Sequence, residues 1–125
     1  MPSVVGAAYT NNTQNTTGTV NYAIDRARNV LVTQGRPVRS TVPNDTAVSP
    51  NTGRLFTVGS LGVSTTNENL GFDIATSGST NTGFVSLSTI GSSARLFTID
   101  LSSGALSGGA RIGSGQTITG LAIVP

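Results

Sequence analysis

The pentapeptide GFDIA at residues 71–75 has two counterparts in the chain, GAAYT at 6–10 and GLAIV at 120–124. Each begins with glycine and continues with four mostly small or apolar residues. Consecutive copies begin 65 and 49 residues apart, and the second spacing is close to the roughly 40–50 residues of one β-propeller blade. The repeat therefore predicts a chain built from successive blade-like units, the first of which carries an insertion.

Between these glycines, apolar and polar residues alternate in short runs that turn residues interrupt, a pattern typical of antiparallel strands. No stretch has the apolar spacing of an amphipathic helix. The longest interruption, 35–53, contains three of the five prolines, which do not fit the interior of a sheet, and it ends in the turn signal PNTG (50–53). A glycine bulge is expected at Gly108–Gly109. The predicted strands are 4–10, 19–25, 30–34, 54–62, 71–77, 83–90, 94–101, 105–113 and 118–124, and further loops are predicted at 11–18 and 63–71.

The predicted fold class is all-β and antiparallel, in a single domain of residues 1–125. One arrangement has two propeller-like blades, at about 4–62 and 71–113, plus the final strand at 118–124. The other is a β-sandwich or barrel of eight or nine short strands that closes within one chain. Arg-Leu-Phe-Thr occurs at 54–57 and again at 95–98, but by strand count the two copies fall at different places in their units. The pattern leaves both arrangements open.

Composition excludes several kinds of chemistry. The 125 residues contain neither cysteine nor histidine, so disulfides, thiolate metal sites and the commonest general base are all absent. Seven basic residues, all arginine, and five acidic residues give a net charge of +2, and the scattered arginines form no basic patch for nucleic acid. No run approaches the roughly 18 apolar residues of a membrane span, and no signal-peptide pattern is present. We expect no enzymatic activity, no cofactor and no nucleic-acid partner.

Three aspartates are the candidate functional residues. Asp25, Asp73 and Asp100 fall at or near strand ends, and clustered carboxylates can bind Ca²⁺. Isolated aspartates before turns more often cap backbone amides, and the chain has no D-x-D-x-D-G loop. Asp73 lies within an apolar strand and needs a partner, for which Arg95 or Arg54 is the expected residue. The favoured interpretation is structural, with no catalytic, cofactor-binding or metal-binding residue.

The aromatic residues offer a second candidate, a carbohydrate platform, but such platforms usually expose tryptophan or tyrosine, and the chain has no tryptophan. The rings are expected to alternate into strand faces and to pack in the core or at a subunit interface. They are Tyr9, Tyr22, Phe56, Phe72, Phe84 and Phe97. A binding module for carbohydrate or for a partner protein would use the loops at 11–18 and 35–53.

In a series of segments the chain resembles the bacterial family of the domain of unknown function 4394. The segments occur in the family's order: VVGAAYTNN (4–12), YAID (22–25), LVTQ (31–34), TVGSLGV (57–63), GFDI (71–74), LFTIDLSSGAL (96–106) and ITGLAI (118–123). The resemblance covers almost the whole chain and corresponds to the C-terminal half of longer members. QGRPVRST (34–41) departs from the family's usual Pro-Pro-Asn turn. The resemblance implies a repetitive β fold, often in exported or envelope-associated proteins, and no assigned activity.

These observations converge on a structural role. A blade has two apolar faces and buries them by stacking on other blades. Two blades leave two faces uncovered, and the missing half of the longer family members implies that other blades cover them. We therefore expect a thermostable, non-enzymatic protein whose partner is itself, in a symmetric homo-oligomer such as a trimer or a larger ring or cage.

Overall fold

The computed structural model describes residues 1–65, 70–89 and 91–124. Its strands form two four-stranded antiparallel sheets, each with its strands side by side in chain order. The prediction of an all-β, antiparallel fold is confirmed. Part of the predicted loop at 63–71, and Ile90 of the strand predicted at 83–90, lie outside the described residues. Within those residues, no helix is long and apolar enough to cross a membrane.

Sheet 1 consists of β1 (Val4–Tyr9), β2 (Asn21–Asp25), β3 (Val30–Gln34) and β4 (Leu55–Ser60). The turn between β2 and β3 is tight because the Oδ1 atom of Asp25 accepts a hydrogen bond from the Ala27 backbone N–H, at 3.0 Å. Asn29 ends the turn with a φ of 52°, a left-handed conformation that asparagine tolerates better than most residues. The sequence DRARN thus returns the chain directly into VLVTQ.

Sheet 2 consists of β5 (Gly71–Ser77), β6 (Thr80–Leu87), β7 (Arg95–Ile99) and β8 (Leu106–Arg111). The predicted bulge is confirmed: Leu96 pairs with Ala110 while the next residue, Phe97, pairs with Gly108, which leaves Gly109 without a cross-strand partner. The two copies of Arg-Leu-Phe-Thr lead into β4 and β7, the fourth strand of one sheet and the third of the other. They are therefore not equivalent, as the strand count predicted.

The sheets pack where β1 meets β5. Phe72 faces Gly6 of β1 so closely that a β-carbon at Gly6 would lie 3.2 Å from the Phe72 β-carbon. At the other end, the Leu106 N–H donates to the Leu61 carbonyl at 3.2 Å, and the Ser103 carbonyl lies against Gly59. Between these points lies a shared apolar core, made of Ala8, Ile24, Leu31, Leu61, Leu70, Phe72, Ile74, Val85, Leu87 and Ile99.

The segment between β3 and β4 folds back over the end of sheet 1. Arg36 and Val48 form an isolated antiparallel bridge, which closes the excursion into a loop. The predicted turn at PNTG is a short 3-10 helix, Pro50–Thr52, which ends at Gly53 with a φ of 68°. The proline-rich sequence therefore forms an ordered flap rather than a strand.

The prediction of a final strand at 118–124 is wrong, since these residues have no regular secondary structure. A β-carbon at Gly71 would lie 2.5 Å from the Leu121 β-carbon, so the segment crosses the face of β5 that points away from sheet 1. Backbone hydrogen bonds between strands lie in the plane of a sheet, and a segment lying over a face cannot form that ladder. Its attachment is instead made by the Asp73 side chain, whose Oδ2 atom accepts from the Ile123 N–H at 2.6 Å.

Candidate functional site

A cavity of about 390 Å³ lies between one end of sheet 1 and the flap formed by residues 35–50. Its floor is a row of directly paired residues, because Tyr9 pairs with Asn21 across β1 and β2, and Asn21 pairs with Gln34 across β2 and β3. Directly paired residues share one face of a sheet. Val48 and Pro50 line the opposite side. The volume falls in the range of small-molecule sites, roughly 300–1,000 Å³.

Two side-chain amides form a relay across this floor. Asn21 Nδ2 donates to Gln34 Oε1 at 3.1 Å, and Gln34 Nε2 donates to the Pro50 carbonyl at 3.0 Å. Since a carbonyl only accepts, it fixes the orientation of Gln34 and, through Gln34, that of Asn21. The Asn21 Oδ1 atom is buried, and in the described part of the chain no donor lies within hydrogen-bond distance of it. The relay thus fixes the orientation of both amides at the floor of the cavity.

The flap is held by one carboxylate between two arginines. Asp45 accepts from Arg36 Nη1 at 2.6 Å and Nη2 at 3.0 Å, and from Arg39 Nη2 at 3.0 Å and the Arg39 backbone N–H at 2.8 Å. The Asp45 side chain is only 6 % exposed. The Arg36 guanidinium also lies over the Phe56 ring, 5.2 Å from its centroid, with Arg54 at 5.4 Å. These contacts fix the wall of the cavity relative to β4.

The arginines hold the pKa of Asp45 far below its ordinary value of 3.8. The largest cause is the hydrogen bond from the Arg39 side chain, followed by that from Arg36 and by the Arg39 backbone N–H. The same pairing raises the pKa of Arg39. The carboxylate is therefore ionised, and the flap closed by its ion pairs, throughout the neutral and mildly acidic range.

Replacing Asp45 with asparagine is expected to open the flap more often, because the ion pairs with both arginines are lost. Hydrogen exchange at the Arg39 and Val48 amides should speed up several-fold. The lowered pKa also sets the pH dependence: the contribution of Asp45 is complete above the unfolded pKa near 3.8 and declines as the pH falls below it. The protection ratio of wild type to Asp45→Asn should thus be constant above about pH 5 and shrink below about pH 4. A ratio that stays the same at all pH values would contradict the role of the ion pairs.

The three candidate aspartates are not brought together; among the residues described, no group of three carboxylate, histidine or cysteine side chains could hold a metal ion. Asp25 Oδ1 accepts from the Ser3 and Ala27 backbone amides. Asp100 accepts from the backbone and hydroxyl of Ser102, and the Ser102 hydroxyl is the main cause of its lowered pKa. Their predicted role in capping backbone amides is confirmed.

The predicted partner of Asp73 is wrong. Asp73 bonds to the backbone amides of Ile74 and Ile123, whereas the Arg95 Nη1 atom donates to the Gly109 carbonyl and Arg54 lies over Phe56. The reason is the side of the strand: Asp73 shares a face with Gly71, and this face is covered by residues 118–124. Backbone amides there satisfy the carboxylate, so that it needs no arginine.

Three of the aromatic rings lie in or against the core, one lines the cavity, and Phe56 lies beneath Arg36 and Arg54. Phe72 is buried, and Tyr22 and Phe97 pack against the core, as predicted; burial raises the pKa of Tyr22. Tyr9 does not pack in the core, because it is 55 % exposed in the single chain and lines the cavity; its packing at a subunit interface stays a prediction. Its neighbour Ala8 faces the core, and alternation along β1 turns Tyr9 outward.

The loop predicted at 11–18 contributes little to the cavity. Its first residues bind sheet 2 instead: the Asn11 N–H donates to Asn81 Oδ1 at 2.8 Å, and Asn12 Nδ2 donates to the Ile74 carbonyl at 2.7 Å. Only the residues that follow it, Thr19 and Val20, reach the cavity lining. Sequence reasoning identified the 35–53 loop but missed the floor, where paired positions 9, 21 and 34 were the available signal.

Fold and cavity together define a small all-β protein in which two stacked four-stranded sheets carry a flap-covered pocket. The chain belongs to the family of the domain of unknown function DUF4394, whose family model matches residues 1–122. This confirms the resemblance drawn from the sequence. No curated protein matches the chain, and no solved structure matches it.

Proposed function

We propose that this chain is a non-enzymatic assembly module, in which each sheet acts as a propeller-like blade and copies of the chain continue the stack. Residues 118–124 of one copy would pack on the open face of β1 in the next, to give a closed homo-oligomer. The observation that carries the proposal is a close contact at glycine. The chain forms it at Gly6 and again at Gly71, and Gly120 has room to form it a third time with another copy.

The first two contacts are alike. A β-carbon at Gly6 would lie 2.8 Å from the Leu70 side chain and 3.2 Å from that of Phe72. One at Gly71 would lie 2.5 Å from the Leu121 β-carbon and 2.6 Å from its backbone nitrogen. Each glycine of the series therefore meets the residues that flank the next glycine. Only glycine, which has no β-carbon, allows so close an approach. Both positions therefore form the same kind of contact, called here the glycine joint.

The third glycine of the series is open. A β-carbon at Gly120 would meet nothing within 4 Å, and Val124 is 85 % exposed. At the other end of the stack, Ala7 of β1 is exposed, although its counterpart in the series, Phe72, is buried against sheet 1. A second copy whose Ala7 faced Gly120 would repeat the joint and cover both surfaces. Closed stacking of this kind is how blades cover their faces.

The absence of catalysis is part of the proposal. What supports it is the use of the three candidate carboxylates, Asp25, Asp73 and Asp100, to bind backbone amides. A general acid or base needs a free carboxyl group within reach of a substrate. These groups are committed to turns and to the attachment of residues 118–124.

Native mass spectrometry and light scattering test the assembly. The wild-type chain should be oligomeric at micromolar concentration, and Gly120→Val should weaken association at least about tenfold, the equivalent of 1.4 kcal/mol, because a β-carbon blocks the joint. Gly18→Val is the matched control: Gly18 also has open space around it and an ordinary φ, but lies outside the glycine series. A wild-type chain that stays monomeric, or equal effects of the two substitutions, would refute the proposal.

A further inference from the structure

We propose that the cavity between sheet 1 and the flap binds a neutral sugar ring, on the outward face of β1 that the proposed assembly would also use. Three properties of the cavity support this ligand: an arginine in its lining whose charge is already balanced, two side-chain amides held in fixed orientations, and a tyrosine that is half exposed beside them.

Charge disfavours ionic ligands. Among the described residues that line the cavity, Arg36 has the one charged side chain. Both of its terminal nitrogens already bond to Asp45, so that its charge is balanced and attracts an anionic ligand only weakly. A cationic ligand would meet no carboxylate in the lining. The site therefore suits an uncharged molecule.

The lining carries two side-chain amides whose orientation is fixed. Asn21 and Gln34 both line the cavity, and the relay through Gln34 to the Pro50 carbonyl prevents either amide from turning over. A ligand that carries hydroxyl groups can form hydrogen bonds with such amides, both as donor and as acceptor. A purely apolar ligand cannot.

Tyr9 supplies the apolar surface. The residue is 55 % exposed and stands directly opposite Asn21 across β1 and β2, so that the ring and the amide are neighbours on one face. A pyranose has an apolar C–H face and a hydroxyl rim, which match an aromatic ring beside an amide. The volume of about 390 Å³ suits one or two sugar rings better than an extended peptide, which needs a longer groove.

The test is a titration followed by ¹⁵N NMR, with glucose, galactose, mannose, xylose and N-acetylglucosamine as separate probes. At least one sugar should shift the side-chain amide signals of Asn21 and Gln34 along a saturable curve, with a dissociation constant of about 1 mM. Each titration is run on the wild-type chain and on Gly120→Val, and the result for Gly120→Val is decisive, because weakened association leaves the outward face of β1 open. Failure of this test leaves the oligomeric state untouched, and the reverse is also true.

Three variants locate the site. Tyr9→Ala should weaken binding at least about tenfold, while Tyr9→Phe, which keeps the ring, should stay within about twofold. Asn21→Ala should abolish binding with little change in melting temperature, because it removes an unpaired acceptor together with one hydrogen bond. Val38→Ala is the control, an exposed flap residue outside the lining. The proposal is overturned if no probe causes a shift at about 20 mM, a large excess over the expected constant, if the shifts map elsewhere, or if a peptide alone binds through Tyr9.

Discussion

Replacing Ile74 with alanine should lower the free energy of unfolding by about 2–5 kcal/mol, the usual cost of truncating a buried isoleucine. Ile74 is fully buried and lies on the same face of β5 as Phe72, which meets sheet 1. The cavity left behind would therefore open in the core that the two sheets share, and collapse of rigid strands around it would be incomplete. Urea denaturation monitored by circular dichroism gives the difference.

A graded control separates lost packing from general disruption. Ile74→Val removes one methylene group and should cost only about 0.5–1.5 kcal/mol. If Ile74→Ala cost no more than Ile74→Val, the contact between the sheets would contribute little, and the two sheets would behave as independent units. Packing between the two sheets would then not explain why they stack.

Gly71→Ala should destabilise the fold by about 1–3 kcal/mol, as overpacking of a close contact usually does. The new β-carbon would lie 2.5 Å from the Leu121 β-carbon and 2.6 Å from its backbone nitrogen and from the Ser86 hydroxyl. Relief requires residues 118–124 to move away from β5. Exchange of the Ile123 amide, which bonds to Asp73, should then become fast.

Gly120→Ala provides the matched control, because the same substitution at the next glycine of the series meets open space. Measured for both variants at a concentration at which the chain is monomeric, it should change the free energy of unfolding by less than about 0.5 kcal/mol. Similar losses for both variants would mean that intrinsic backbone preference, and not the close approach of Leu121, explains the need for glycine at Gly71.

The strands were accessible to sequence reasoning where local signals coincide. VLVTQ and GFDIATS were predicted with the observed ends, because each run of strand-forming residues is bounded by residues that favour turns. The bulge at Gly108–Gly109 was also accessible, since two adjacent glycines in an alternating strand favour an unpaired residue. In these cases the information lies within about ten residues of chain.

The failures concern contacts between distant residues. Residues 118–124 have the composition of a strand, but they lie over a face of β5. There, their backbone cannot form the in-plane hydrogen bonds that join neighbouring strands. The partner of Asp73 depends on the same docking, 50 residues away. The cavity floor joins Tyr9, Asn21 and Gln34 only after two registers are set, and its roof requires the pairing of Arg36 with Asp45. No local pattern specifies such a combination.

The glycine joint has a consequence for how such proteins diversify. The first two glycines are separated by a flap that the second pair lacks, yet both make the same close approach. The contact between units therefore does not depend on the length of the loops that connect the strands. New rim segments could be grafted between β3 and β4, or whole units duplicated in tandem, without redesigning the surfaces that hold neighbours together. Loops that bind a ligand and the contacts that join the units can therefore change independently during evolution.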